Sequence, residues 1–197
     1  MCFSYPEQAL FERRSFAIGP GVTLVLGGDG RGKSTLLRLL AGDLTAAGGQ
    51  LRIGAARLDA AAPAYRAQLF WIDPRSEDFE QLTALEYFQS VRERYPDWAA
   101  QALPGLIAGL SLEPHLDKKL YMLSTGSKRK VWLAAAFASG APVMLLDEPF
   151  ASLDKVSIGF VRGLLREVAG AAARVCVLAD YSAPSDVPLA ATIDLGD

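Results

Sequence analysis

Short, nearly continuous apolar runs recur along the chain at 22–26, 51–53, 69–72, 143–146 and 175–179, and stretches with helical spacing separate most of them. Runs of this length with β-branched residues read as strands buried on both faces. Alternating with helices, they predict an α/β layer structure around a largely parallel sheet. From about 83 to 123 the strand pattern stops. TALEYFQSVRERY, DWAAQALPGLIAGL and EPHLDKKL read instead as two or three helices, broken at Pro96, Gly109 and Pro114. The pattern is thus a helical insertion in an α/β core. The alanine-rich LDAAAPAY at 58–65 reads as a surface loop.

Candidate chemistry enters at GGDGRGKST, which follows the apolar run VTLVL and opens the helical pattern KSTLLRLLAG, ending at Gly42. Strand, glycine loop and helix in that order form a phosphate-binding loop. Backbone N–H groups of Gly27, Gly28, Asp29, Gly30, Arg31 and Gly32 turn around the phosphates, and Lys33 reaches the outer two. The hydroxyl of Ser34 meets Mg²⁺, with Thr35 beside it, and the helix N-terminus favours the anion. A second element is VMLLDEPF, where an apolar run ends in two acids at the carboxyl edge of the sheet, the edge at which open α/β sheets bind ligands. There Asp147 can hold Mg²⁺ or its water, and Glu148 can polarise a water for attack on a γ-phosphate.

Composition agrees with a compact enzyme domain. With 197 residues, 51% of them hydrophobic, the chain can bury roughly 70% of its unfolded surface without disulfide or metal. Cys2 is terminal and Cys176 lies in an apolar run, so neither is assigned a function. No apolar stretch reaches the roughly 20 residues needed to cross a bilayer. The opening MCFSYPEQ has no signal-peptide pattern, so a cytosolic location is expected. A net charge of −2 argues against a broad polyanion-binding surface.

A third element is LSTGSKRK before VWLAAAFAS. Ser124, Thr125 and Gly126 stand at the start of a helix, where a hydroxyl, a cap and exposed amides make an anion site. The cluster Lys128, Arg129 and Lys130 reads as a solvated face, and no nucleic-acid partner is expected.

Taken together, these segments resemble the nucleotide-binding subunits of ATP-binding cassette (ABC) transporters over essentially the whole chain. GGDGRGKST is similar to their Walker A, LSTGS to their LSGGQ signature, and VMLLDEP to Walker B with its catalytic glutamate, Glu148. Ser152, Leu153 and Asp154 match the D-loop, and Tyr5 stands where the family stacks an aromatic ring on adenine. The resemblance implies an α/β P-loop NTPase core of ABC ATPase type in a single domain, 1–197. It also implies an N-terminal β region and a helical subdomain inserted at about 83–140. It implies ATP and Mg²⁺ as cofactors, and head-to-tail pairing with a second cassette in which Ser124, Thr125, Gly126 and Ser127 bind the partner's ATP. A separate integral membrane permease would hold the chain peripherally at the cytoplasmic face. Tyr87, Phe88 and Tyr95 are candidate contacts to that permease, although helical spacing favours core packing for at least two of them.

Three positions depart from the family pattern. Asp73 stands where the Q-loop glutamine is usual, and as an aspartate it can ligate Mg²⁺ while adding negative charge. Asp180 and Tyr181 stand near the switch-histidine position, and the single histidine, His115, is elsewhere, read as a surface or packing residue. An ionised carboxylate cannot donate to a γ-phosphate, whereas the Tyr181 hydroxyl can. Thr125 and Ser127 replace the usual glycine and glutamine of the signature. Two functions follow: an ATPase driving a permease, with shortness leaning toward an exporter, or a regulatory cassette that binds ATP and hydrolyses it poorly. A small-molecule kinase has no use for the LSTGS helix start, and repair or translation cassettes carry insertions that do not fit this length.

Overall fold

Four of the apolar runs pair side by side in one sheet, and the alternation of side chains along each strand sends successive residues into two separate cores. The computed structural model describes residues 2–5, 8–11 and 15–196, with the backbone alone at 4, 5, 8 and 9. In chain order the first elements are β1 (Phe3–Tyr5), β2 (Gln8–Phe11), β3 (Gly21–Leu26), α1 (Lys33–Ala41), β4 (Arg52–Ile53) and β5 (Ala56–Arg57). Then come α2 (Ala62–Arg66), β6 (Leu69–Phe70), α3 (Ala84–Arg94), α4 (Leu103–Gly109) and short 3₁₀ turns at Glu113–His115 and Leu120–Met122. The chain closes with α5 (Thr125–Ala138), β7 (Val143–Asp147), α6 (Lys155–Gly170), β8 (Val175–Asp180) and β9 (Ala191–Asp194).

The main sheet has five strands in the order β6-β7-β8-β3-β9, parallel at every pairing. Val22, Leu24, Met144, Leu146, Cys176 and Leu178 face the helices of the insertion and α6. Val25, Leu145, Val177 and Ala179 face α1, where Leu36, Leu37 and Leu39 are fully buried. Both faces are covered, which is why the strands read as unbroken apolar runs. Each buried leucine contributes about 1.5–3 kcal/mol. α1 ends where the sequence predicts: Gly42, at φ +79°, donates to Arg38 O and Leu39 O.

Several expectations are corrected. The 51–53 run joins no main-sheet strand; β4 pairs antiparallel with β5 in a separate ribbon. Within 58–65 the chain turns into α2, with proline in its first turn, and Tyr65 is buried with its hydroxyl donating to Leu40 O at 2.7 Å. Of EPHLDKKL only a single 3₁₀ turn forms, because Pro114 starts a turn that nothing downstream continues as helix. Tyr87, Phe88 and Tyr95 are all core residues, 2–3% exposed, on the inner face of α3 and just beyond it, so the core packing favoured for at least two of them holds for all three and none is a surface contact. Exposed apolar side chains in this region are Leu85, Tyr121 and Met122. Cys176 is buried, as expected, and burial pushes its thiol up to about 12. β9 carries no apolar run, since it is a largely exposed edge strand.

Candidate nucleotide site

β3, β7 and β8 end at the same edge of the sheet and deliver Gly27, Asp147 and Asp180 to adjoining positions. From β3 the chain enters the loop 27–32 and turns directly into α1. Gly32, at φ +91°, is the turn into that helix, and a side chain there would press on Phe11 and Leu10 at 3.2 and 3.3 Å. Asp29, Gly30 and Arg31 form the exposed tip of the loop. Lys33 is 6% exposed, and its Nζ donates to Gly27 O at 2.8 Å and Gly28 O at 2.9 Å, so the ammonium is held inside the loop. Ser34 and Thr35 follow in the first turn, Thr35 buried.

Asp147 faces this helix start from β7. Burial raises its pKa above the ordinary carboxylate value; a hydrogen bond from Ser34 lowers it, and the charges of Glu148 and Asp73 raise it further. Its Oδ1 is buried without a hydrogen-bond partner among the described residues. A buried carboxylate oxygen with nothing to accept from, beside a serine hydroxyl, fits Mg²⁺, which is typically held by one or two protein ligands together with phosphate oxygens. Asp73 is near enough to act on Asp147 electrostatically, yet its carboxylate is turned to its own neighbours: Oδ1 accepts from Arg75 N at 2.9 Å, and Oδ2 lies 3.9 Å from Arg38 Nε. Glu148 follows Asp147 in a left-handed conformation, φ +46°, with its N–H donating to Ala179 O at 2.9 Å.

Asp180 and Tyr181 enter from β8. The Tyr181 hydroxyl donates to Asp29 Oδ1 at 2.5 Å, and the Lys33 ammonium lies 3.6 Å from the centre of its ring. The hydrogen bond to Asp29, followed by the charge of Glu148, raises the tyrosine pKa. Burial raises that of Asp180, against the opposing charges of Lys33 and Arg129. Tyr181 therefore links the P-loop tip and the lysine, within electrostatic reach of Glu148.

The signature segment opens α5. Ser124 is its N-cap, with Oγ accepting from Ser127 N at 3.1 Å and donating to Ser127 Oγ at 3.0 Å, and both Ser124 and Thr125 are exposed. These bonds stay within the segment. Gly126 is buried, and a Cβ there would collide with Ser152 O. The expected solvated face of Lys128, Arg129 and Lys130 is corrected, since all three are paired within the chain. Lys128 bonds Glu80, Lys130 bonds Asp154 Oδ2 at 2.6 Å, and Arg129 Nη1 donates to Glu148 O at 2.6 Å and Ala151 O at 3.0 Å. Arg129 escaped the sequence reading because its partners are backbone carbonyls some twenty residues away, which no side-chain motif records. Asp154 caps α6, and Lys130 and Ser157 hold its carboxyl well below the usual range. The backbone of Tyr5 lies in β1, and its side chain is outside the described residues. His115 lies in the first 3₁₀ turn, where burial and the charges of Lys118 and Lys130 lower its pKa.

A parallel sheet with a phosphate loop after β3, two acids at the end of β7 one strand away across β8, and a capped helix start at α5 defines a P-loop nucleotide-binding protein. The chain belongs to the ABC transporter family as an ATP-binding subunit: the family model described as "ABC transporter" matches residues 11–151. The chain is 34% identical over 200 residues to the cytochrome c biogenesis ATP-binding export protein CcmA of Rhodospirillum rubrum, covering 93% of this chain and 80% of that protein. It is 33% identical over 140 residues to the molybdenum import ATP-binding protein ModC of Hahella chejuensis, covering 69% of this chain and 39% of that protein. Among solved structures it is similar to one titled "Structure of ATP binding subunit of ABC transporter", with a TM-score of 0.81 at 26% identity, over 90% of this chain and 76% of that one.

Proposed function

We propose that this chain binds and hydrolyses MgATP in a head-to-tail pair of cassettes and thereby drives a separate membrane permease. The observation that carries this reading is the convergence of Lys33, Ser34, Asp147 and Glu148 at one sheet edge, with an Asp147 oxygen unpartnered beside Ser34. Lys33 would exchange the carbonyls of Gly27 and Gly28 for the outer phosphates, and the amides at the start of α1 would face the same anion. Ser34 and Asp147 would hold Mg²⁺, which supplies charge neutralisation on the phosphates when bound. Glu148 orients and polarises the attacking water. The Tyr181 hydroxyl, already at the P-loop mouth, is the donor that would take the γ-phosphate in place of a histidine. Asp73, engaged by Arg38 and Arg75, acts by its charge on Asp147 more than as a ligand.

Exposed Ser124 and Thr125 at the start of α5 support binding the ATP of a second cassette. Among the described residues no helix is long and apolar enough to cross a membrane, so transport calls for a permease chain that would hold this one peripherally at the cytoplasmic face. Export is the favoured direction, because the relative matched over 93% of this chain is named an export protein. The helices between β6 and β7 would form the subdomain at about 83–140 that meets the permease.

A second reading, a regulatory cassette that binds ATP with little turnover, is favoured by the three carboxylates Asp73, Asp147 and Asp180 around one site. Glu148→Gln separates the two. For a hydrolysing cassette, the variant retains ATP and runs as a dimer on size exclusion, whereas the wild type releases ADP and returns to monomer. A wild type that itself retains uncleaved ATP indefinitely makes the chain the regulatory cassette, and a variant that turns over like the wild type removes Glu148 from catalysis.

A further inference from the structure

The segment between β7 and α6 has two left-handed residues, Glu148 at φ +46° and Ser152 at φ +62°, a conformation that non-glycine residues hold only when surroundings impose it. The first turns of α5 impose it at several points. Arg129 donates one Nη to Glu148 O and Ala151 O, Lys130 is bonded to Asp154, and Gly126 admits the Ser152 carbonyl where a Cβ would collide. Among these contacts only that of Arg129 reaches Glu148 itself.

Arg129 is an expensive residue for packing alone. It is partly buried, and its Nε is buried with no partner among the described residues. An apolar side chain of similar volume would fill the same space without that desolvation. Its guanidinium instead bonds the Glu148 and Ala151 carbonyls and lies within electrostatic reach of Glu148, Asp147 and Asp180. We propose that Arg129 is a positioning residue for hydrolysis: it fixes the Glu148 backbone in the turn that sets where the carboxylate points, and ties that turn to the helix carrying Ser124. The inference rests on the catalytic role of Glu148 proposed above.

A pair of variants tests it, with ATP affinity measured by equilibrium binding of a fluorescent ATP analogue and kcat measured per folded protein. Arg129→Met keeps the bulk and loses both bonds. It should bind the analogue as the wild type does while kcat falls about 10²-fold, the scale of a roughly 1 Å misplacement of a catalytic group. Arg129→Lys keeps the charge without the fork that spans two carbonyls, and should recover part of the loss. Wild-type kcat in Arg129→Met, with a lower melting temperature alone, would make the residue structural and overturn the proposal. So would parallel losses of kcat and affinity. Should Arg129→Met not fold, Arg129→Lys decides, a reduced kcat at unchanged affinity supporting the proposal and an unchanged kcat overturning it. Glu148→Gln measured alongside separates the two levels. If it turns over like the wild type, the catalytic assignment and this inference fall together; if it is inactive while Arg129→Met is not, this inference alone falls.

Discussion

Lys33 and Tyr181 face each other at 3.6 Å, and this contact makes the chain's departure from a switch histidine testable one side chain at a time. A hydrogen bond to a charged group contributes about 1.5–3 kcal/mol. Tyr181→Phe keeps the ring over Lys33 and removes the donor, so it should weaken ATP about tenfold or more while leaving ADP nearly unchanged. Titration calorimetry with both nucleotides measures the difference, and equal losses for ATP and ADP would exclude a γ-phosphate contact. Asp154 offers a pH test. Its folded pKa is depressed, chiefly by Lys130, so its stabilising effect is present above the ordinary carboxylate pKa and is lost as pH falls through the depressed folded value. The melting temperature of Asp154→Asn should therefore lie below that of the wild type at pH 7, and the gap should close in acid. A gap of constant size would show that the Lys130 pair contributes nothing.

At the scale of elements, what could be read in the sequence was whatever local pattern determines. β3, the glycine loop and α1 were legible because strand periodicity, glycine spacing and a helix stop at Gly42 all agree. The Ser124 cap was legible because capping is a matter of three neighbouring residues. α2 was not, because alanine and proline look like a loop until Tyr65 finds Leu40 across the fold. The 51–53 run has strand composition but no place in the main sheet, and partner choice is not written in a three-residue run. At α3 the helical spacing of the aromatic residues favours a core face for at least two of them, and the neighbours in α5 and β6 extend that to all three. Tyr87→Ala should accordingly cost about 3–5 kcal/mol in denaturant unfolding, as for a large buried aromatic. A loss below 1 kcal/mol would place Tyr87 at the surface after all.

For the molecule as a whole, the sheet edge does most of the arranging. Three neighbouring strands place a lysine, two acids and a tyrosine around one loop, while the capped start of α5 leaves Ser124 and Thr125 exposed. In the function proposed above, this helix start would serve the nucleotide of a second cassette. The motif residues of both sites were legible in the sequence. The internal bonds of Arg129, the burial of Asp147 Oδ1 and the contact of Tyr181 with Lys33 were not, since each joins segments brought together only by folding. In the proposed function, hydrolysis requires two copies, each completing the other's site. Steady-state Mg²⁺-ATP hydrolysis over a range of protein concentrations, with Glu148→Gln as the blank, tests it most directly. The account predicts a rate that rises faster than linearly with protein and is absent in the blank. A rate strictly proportional to protein at all concentrations, or one equal to the blank, would contradict it.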